Sequence, residues 1–246
     1  GAPMPASTTT GTVACSMMIL IASTLIRPCP DPIGDPSGIT VAQPMSTSRC
    51  ANGGSAPFPV MMMVHDGLRV VPLTIHVPLS KVPSLITTEL MLKTGRIVAH
   101  SLRTRFEIEA PKIGVTGLNP HAGEGGTIGM EELNIIGPAV AQLAHEGIDI
   151  SGPIPGDTLF HPPHWRRYDA VIAMYHDQAM IPIKTVAFDQ AVNVTLGLPF
   201  VRTSPDHGTA FDLAGTGRGS TASLLAAIRL ADRLTGGVHE VRQAAQ

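Results

Sequence analysis

The sequence predicts an α/β fold whose sheet contains parallel strands. Short apolar runs alternate with longer segments whose apolar residues recur at helical spacing, which is the pattern of strand–helix units. The 25 glycines and 22 prolines separate these segments with many tight turns. A chain of 246 residues that is 43% hydrophobic is also long enough to bury a substantial core.

Five apolar runs are predicted to be strands. None of them contains a charged residue, which is typical of strands buried on both faces of a sheet. The runs are 59–63, 70–75, 113–118, 170–174 and 192–196.

Three segments are predicted to be helices, at 84–105, 128–145 and 220–234. Gly147 follows the second one in the position of a C-terminal cap. The predicted apolar face of the second helix is Leu133, Ile136, Val140, Leu143 and Ala144. The predicted apolar side of the third helix is Leu224, Leu225, Ile228 and Leu234.

The composition argues against several classes of protein. The net charge is -2, the 17 Lys and Arg residues are dispersed, and aromatic residues make up 4%, so the chain lacks a basic or base-stacking surface for nucleic acid. Its three cysteines, Cys15, Cys29 and Cys50, form no disulfide framework. The apolar run 13–26 is too short to span a bilayer and lacks the basic residues of a signal peptide, so we interpret it as a buried strand or helix. We therefore expect a cytoplasmic protein that binds neither nucleic acid nor membranes.

The chain has two regions of different character. Residues 1–63 contain four charged residues and nine of the 22 prolines, whereas the regular alternation of strands and helices starts near residue 64. We expect 1–63 to be an atypical N-terminal segment and 64–246 to be the α/β region that carries the chemistry.

Three histidines follow three predicted strands. His76, His121 and His176 come directly after the runs that end near residues 75, 118 and 174. Ligands of open α/β sheets bind beyond the carboxyl ends of the strands, and three imidazoles there could hold one divalent ion with positions left for substrate. The alternative is that each histidine bonds to nearby backbone, because the intervals between them match no local ligand motif.

Two glycine-containing loops precede predicted helices. The loop 117–126 is neither a Walker loop nor a dinucleotide fingerprint, but its glycines allow close backbone approach and the next helix offers free N–H groups to an anion. A plain structural turn is the alternative. The second loop, 206–215, would suit an adenosine group.

Polar residues elsewhere could bind and activate an anionic substrate. Lys184, Asn193 and Arg202, in the predicted strand–loop region after His176, would together suit a phosphate or carboxylate. The Lys or the Arg taken alone is better explained as a solvated surface residue. Asp157 lies in a stiff loop and could be a general base or a helix N-cap.

Three of these segments together resemble the 4-hydroxythreonine-4-phosphate dehydrogenase family. They are Gly-Leu-Asn-Pro-His-Ala-Gly-Glu-Gly-Gly at 117–126, Met-Tyr-His-Asp-Gln at 174–178, and Asn-Val-Thr-Leu-Gly-Leu-Pro-Phe-Val-Arg-Thr-Ser-Pro-Asp-His-Gly-Thr-Ala at 193–210. The resemblance runs from about residue 60 to 235, and 207–215 is similar to the adenosine-binding loop of isocitrate and isopropylmalate dehydrogenases. It implies their three-layer α/β/α fold, with a two-domain subunit in a homodimer. It also implies NAD- or NADP-dependent oxidation and decarboxylation of 4-hydroxythreonine-4-phosphate in pyridoxal phosphate synthesis, assisted by Zn²⁺, Mg²⁺ or Co²⁺.

The resemblance also implies roles for individual residues. His76, His121 and His176 would be the metal ligands, near the dimer interface, and Lys184, Asn193 and Arg202 would hold the phosphorylated substrate. Either Asp157 or Lys184 would be the base that removes the hydroxyl proton. The residues expected to contact the cofactor are Asn119, Gly123, Glu124, His207, Gly208, Thr209, Ala210 and Asp212.

The N-terminal region departs from the family pattern. Gly-Asp-Pro-Ser-Gly-Ile at 34–39 is similar to a family loop, but the Gly-Pro-Glu that continues it is absent and only about twenty residues separate it from the first predicted strand. We therefore expect a reduced N-terminal domain. Three alternatives stay open: a paralogue that oxidises threonate or erythronate 4-phosphate, a cis-dihydrodiol carboxylate dehydrogenase, and a truncated inactive homologue.

Overall fold

A computed structural model describes residues 57–207 and 211–236. The chain divides into two compact units. The larger one contains the described residues 57–206 and 221–236, and the segment from His207 to Ser220 belongs to the other. The predicted element at 13–26 and the loop at 34–39 lie outside the described residues.

The larger unit is built on a seven-stranded mixed sheet. Its strands are β1 (Val60–His65), β2 (Leu68–Thr74), β3 (Lys112–Thr116), β4 (Asp149–Ile154), β5 (Ala170–Tyr175), β6 (Val192–Leu196) and β7 (Arg202–Pro205). Their order across the sheet is β4-β3-β5-β2-β1-β6-β7. The first four in this order run parallel, and β1 joins them antiparallel to both β2 and β6.

The described residues also form six α-helices, of which five lie between strands and the last follows β7. They are α1 (Val82–Leu85), α2 (Thr88–Thr104), α3 (Gly137–His145), α4 (Gly156–Leu159), α5 (His176–Ala187) and α6 (Ala222–Leu234). A π-helical turn, Glu132–Ile136, leads into α3. No helix in the described part of the chain is long and apolar enough to cross a membrane.

Two apolar cores, one on each face of the sheet, make the larger unit three layers thick. On one face α2, α3 and α6 pack against alternate residues of the strands, such as Met62 and Ile172. On the other face α5 packs against Met63 and Ala173 through Met180 and its neighbours. Because successive strand residues point to opposite faces, uncharged runs fit this doubly covered sheet. The predicted α/β three-layer class is confirmed.

The helices differ from their predicted bounds and faces. The second predicted helix has no helical residues at 128–130, and Leu133 is 51% exposed. A π turn adds a residue to each hydrogen-bonded ring, so the 3.6-residue spacing does not carry through it. Gly147 ends α3 with a φ of 85° and donates to the carbonyl of Ala144, as predicted.

Two predicted faces were also wrong in part. Ala144 is exposed at the end of α3, and Leu225 and Ile228 are exposed on α6. The residues that α6 buries are Ser223, Ala227, Leu230 and Leu234, and of these only Leu234 was predicted. This side of α6 packs against β6 and β7, and Leu225 and Ile228 lie on the exposed side.

Candidate active site

The carboxyl ends of four parallel strands bring candidate residues to one edge of the sheet. His76 lies two residues after β2, and His176 directly follows β5. His121 lies in the turn after β3, and Asp157 follows β4. This is the edge at which open α/β sheets bind ligands.

His76 and His176 are neighbours because β2 and β5 pair directly. Their ring centroids are 5.6 Å apart, with the planes tilted by 42°. The Nδ1 atom of His176 is 2.7 Å from Asp177 Oδ1. With the proton on Nδ1, His176 donates to this carboxylate and keeps the Nε2 lone pair for a metal ion. The pair is open to solvent, since the His176 side chain is 39% exposed.

His121 does not complete a three-residue group with this pair. Within the described residues, no three His, Cys, Asp or Glu side chains are placed so that they could hold a metal ion. One chain therefore brings together two of the three predicted ligands.

The loop that carries His121 is a left-handed turn. Every residue from His121 to Gly126 has a positive φ, including His121 at 52°, Ala122 at 51° and Glu124 at 43°. A non-glycine residue in this conformation costs roughly 1–2 kcal/mol, so the three together store a substantial strain. The glycines of this loop are needed for the shape of the turn itself.

The carboxylate of Glu132 holds the start of this turn. Its side chain is 3% exposed, and Oε1 accepts the N–H groups of Leu118 and Asn119 at 2.7 Å each. Its Oε2 accepts a third hydrogen bond, 3.0 Å long, from Asn119 Nδ2. Hydrogen bonds to a charged group contribute roughly 1.5–3 kcal/mol each, so three are comparable in size with the backbone strain.

Asn119 and Gly123 also take part in holding the turn. Asn119 Nδ2 donates to Glu131 Oε2 at 2.8 Å, and this hydrogen bond lowers the pKa of the Glu131 carboxyl below its ordinary value. A Cβ on Gly123 would lie 2.6 Å from Glu132 Oε2, so only glycine fits there. The side chain of Glu124, in contrast, is exposed.

Gln178 joins the ends of β3 and β5 and was not predicted as a site residue. Its Oε1 accepts from Met174 N at 2.7 Å and from Thr116 Oγ1 at 2.9 Å, and its Nε2 donates to the Gly117 carbonyl at 2.9 Å. Its side chain also packs against Gly156 at the start of α4. One amide thus ties together the end of β3 before the His121 turn, the end of β5 before His176 and the start of α4, which carries Asp157.

Asn193 and Arg202 lie on the face of the sheet that α5 covers. Asn193 is opposite Met63 in the β1–β6 ladder, and Met63 packs under α5. Arg202 is paired with Thr195 and donates to its Oγ1 at 2.8 Å. The Asn193 Oδ1 atom is buried and has no hydrogen-bond partner in the described part of the chain.

Lys184 lies on the same face but in helix α5, so the predicted strand–loop position was wrong. Its Nζ is 3.0 Å from Asp206 Oδ2. The helix starts at His176, and a rise of 1.5 Å per residue puts Lys184 roughly 12 Å further along the axis. Lys184 therefore lies about two helical turns away from the edge that carries the histidines.

Asp157 lies in the first turn of α4, whose N-cap is Pro155, so the predicted alternative of an N-cap was wrong. Its Oδ1 accepts the N–H of Thr158 at 2.8 Å, and the side chain is exposed. Asp157 makes no ion pair with any described residue, which leaves its carboxylate open to a ligand.

The structure describes residues 206–207 and 211–215 of the second predicted loop; Asp206 belongs to the larger unit and the others to the smaller one. His207 and Asp212 are both exposed, and Asp212 lies in a 3₁₀ turn, Phe211–Leu213. Gly208, Thr209 and Ala210 lie outside the described residues.

Taken together, the fold and its histidine-bearing edge define an α/β domain of the class whose ligands bind beyond the carboxyl ends of parallel strands. The chain belongs to the family of the pyridoxal phosphate biosynthetic protein PdxA, whose model matches residues 44–231. Its curated relatives are named dehydrogenases. A 4-hydroxythreonine-4-phosphate dehydrogenase from Bradyrhizobium diazoefficiens is 59% identical over 184 residues, which are 75% of this chain and 53% of the relative.

Solved structures agree with this assignment. The 4-hydroxythreonine-4-phosphate dehydrogenase of Klebsiella pneumoniae is 41% identical, with a TM-score of 0.67 over 72% of this chain and 54% of that one. A terephthalate 1,2-cis-dihydrodiol dehydrogenase from Burkholderia xenovorans is 33% identical, with a TM-score of 0.59 over 73% of this chain and 56% of that one. The chain spans about half the length of the curated relatives it matches.

Proposed function

We propose that this chain takes part in pyridoxal phosphate synthesis as a cytoplasmic homodimer that oxidises and decarboxylates 4-hydroxythreonine-4-phosphate. The observation that carries the proposal is the His76–His176 pair at the carboxyl edge, with His121 on the turn after the adjacent strand β3. A bound divalent ion (Zn²⁺, Mg²⁺ or Co²⁺) would polarise the substrate hydroxyl and stabilise the negative charge of the enolate that remains when CO₂ departs. NAD or NADP would accept the hydride.

The donor set fits such an ion in part. Two adjacent imidazoles, one of them oriented by a carboxylate, are suitable ligands for Zn²⁺ or Co²⁺, whereas Mg²⁺ prefers oxygen ligands. Since the described residues of one chain place only two of the predicted ligands side by side, we propose that a second subunit supplies the third. The metal site would then lie at the dimer interface.

Exposed apolar side chains support an interface at this edge. They lie on both sides of His76, where Leu79 is 67% exposed, and directly after the turn that carries His121. Exposed apolar groups gathered at one place are typical of a surface that another chain covers. The side chains are Ile75, Val77, Leu79, Ile128, Met130 and Leu133.

Arg202, Asn193 and Lys184 are proposed to bind the substrate phosphate and its polar neighbours. The planar guanidinium of Arg202 can give two parallel hydrogen bonds to a phosphate. The unpartnered end of the Asn193 amide can bond to the substrate, which satisfies a group that is otherwise buried alone. Lys184 would be shared between the phosphate and Asp206.

Asp157 is proposed as the base, in preference to Lys184. It lies at the histidine edge with an open carboxylate, whereas Lys184 is paired with Asp206 and lies further along α5. We expect Asp157→Asn to lower kcat with little change in KM, and Lys184→Met to raise KM most. The reverse pattern would assign the base to Lys184.

The direct test is NADH formation from 4-hydroxythreonine-4-phosphate by the 246-residue chain, with Zn²⁺ or Mg²⁺ added and with EDTA. Turnover that EDTA abolishes and metal restores supports the proposal, and His121→Ala should remove it. Activity that His121→Ala leaves unchanged would contradict the metal assignment. Metal binding without turnover would favour the inactive homologue.

A second candidate is oxidation of a cis-dihydrodiol carboxylate, which the Burkholderia xenovorans neighbour favours by its name. Such a substrate has no phosphate, so Arg202 and Lys184 would have less to bind. Measuring kcat/KM on the two substrates and on threonate and erythronate 4-phosphates separates the candidates. Arg202→Ala should lower kcat/KM only for the phosphorylated compounds.

A further inference from the structure

Glu132 is a buried carboxylate that the proposed reaction does not use. It makes three hydrogen bonds, and all three go to Leu118 or Asn119, the residues that connect strand β3 to the left-handed turn. It is also the first residue of the π-helical turn that leads into α3. Glu132 therefore links a rigid helix to the start of the loop that carries His121.

The left-handed turn is folded over this carboxylate. Gly123 is buried in the middle of the turn, and a Cβ there would lie 2.6 Å from Glu132 Oε2 and 2.8 Å from the carbonyl of Gly129. A Cβ on Gly117, at the end of β3, would lie 3.0 Å from Glu132 Oε1. The two carboxylate oxygens thus face backbone at the start and in the middle of the loop 117–126.

We propose that Glu132 is the positioning residue for His121. It keeps six consecutive residues in a conformation that non-glycine side chains rarely adopt, and so holds the imidazole where the site needs it. The inference rests on the proposed function, because it takes His121 to be a metal ligand. Glu132 would touch neither metal nor substrate, and its effect on binding would pass through the turn.

The neighbouring Glu131 provides a matched control. It is also a carboxylate bonded to Asn119 Nδ2, but it makes no hydrogen bond to the backbone of the loop and is less buried. Glu132→Gln keeps the size of the side chain but replaces one acceptor oxygen with an NH₂ group. That group then faces a hydrogen-bond donor of Leu118 or Asn119 and cannot bond to it. Glu131→Gln makes the same chemical change one residue away.

The first measurement is amide hydrogen exchange of the full chain without metal. In Glu132→Gln we expect residues 117–127 to exchange at least about tenfold faster, while Glu131→Gln stays within about twofold of the parent. If Glu132→Gln does not fold, as judged by thermal unfolding, Asn119→Ala takes its place, because it removes only the side-chain donor. Unchanged exchange in the folded variant would overturn the proposal.

The second measurement is the affinity for Zn²⁺, together with the visible absorption of bound Co²⁺ as a report on histidine ligation. Loss of a group that orients a ligand weakens metal binding by about 10–100-fold, which we expect for Glu132→Gln. In a His121→Ala background the same substitution should have no further effect. An equal loss in that background would show that Glu132 does not act through His121.

The two measurements separate the two hypotheses. If the parent chain binds no metal ion, the proposed function fails, and the exchange experiment still decides whether Glu132 holds the turn. If the parent binds metal and the Glu132→Gln chain binds it equally well, the proposed function stands and the positioning role is wrong.

Discussion

Replacing Gln178 with alanine is expected to lower the free energy of unfolding by roughly 3 kcal/mol. The substitution removes three hydrogen bonds, to Thr116 Oγ1, Met174 N and the Gly117 carbonyl, and each bond of this kind contributes about 1 kcal/mol. Thr116 is fully buried, so water does not replace the lost partner easily. For a unit of this size the loss corresponds to a fall in Tm of roughly 6–12 °C.

Urea unfolding followed by circular dichroism, analysed with a common m-value, measures the change. Gln142→Ala is the control, because Gln142 is an exposed glutamine on α3 with a single 3.3 Å hydrogen bond to Glu146. We expect the control to change stability by less than about 0.5 kcal/mol. A loss below about 1 kcal/mol in Gln178→Ala would refute the view that this amide ties the strand ends together.

Three further predictions concern pH, packing and the phosphate group. The hydrogen bond and charge of Arg96 lower the pKa of Glu146, so the pair stabilises the fold above the unfolded carboxyl pKa of about 4.3 and loses its effect as pH falls through the lower, folded value. The Tm difference between the parent and Glu146→Gln should therefore shrink from pH 7 to pH 3, and a constant difference contradicts this. Leu143 is fully buried, so Leu143→Ala should lower the free energy of unfolding by about 2–5 kcal/mol, measured in urea. A loss below about 1 kcal/mol would mean that neighbouring side chains move in and fill the cavity. Asn193→Leu should leave stability unchanged or higher, because it removes a buried unpaired atom, while KM for the phosphorylated substrate rises. A large loss of stability would instead indicate a structural role for Asn193.

The central strands could be predicted from the sequence because burial on both faces leaves a clear signal. Strands β1, β2, β3, β5 and β6 all match uncharged apolar runs. The outermost strands, β4 and β7, were missed. They are only partly buried, so Asp149 or Arg202 can belong to them and no apolar run marks them.

Helix α5 was missed for a different reason. It begins at the residue after β5, without a loop, and Pro182 interrupts its helical pattern. The position of Lys184 was wrong as a consequence. A sequence pattern cannot show that a proline is tolerated when the surrounding core holds the helix in place.

The candidate site was predicted in its parts but not in its arrangement. The position of a histidine after a strand is visible in the sequence, and so the edge with His76 and His176 could be expected. The roles of Gln178 and Glu132 could not, because a polar side chain has no periodicity and its partners are known only when the chain is folded. A glutamate six residues after a Gly-rich loop is common in sequences and does not by itself indicate a role.

The strand order has a consequence for how the chain folds. Thr74 of β2 bonds to the carbonyl of Met174 in β5, its neighbour in the sheet, across a separation of 100 residues. Pairing distant segments requires closing a large loop, and the chain loses conformational entropy before any native contact offsets that loss. Such topologies therefore fold slowly. His76 and His176 can become neighbours only after this step. Until then apolar strands such as β1 stay uncovered, and aggregation competes with assembly of the site.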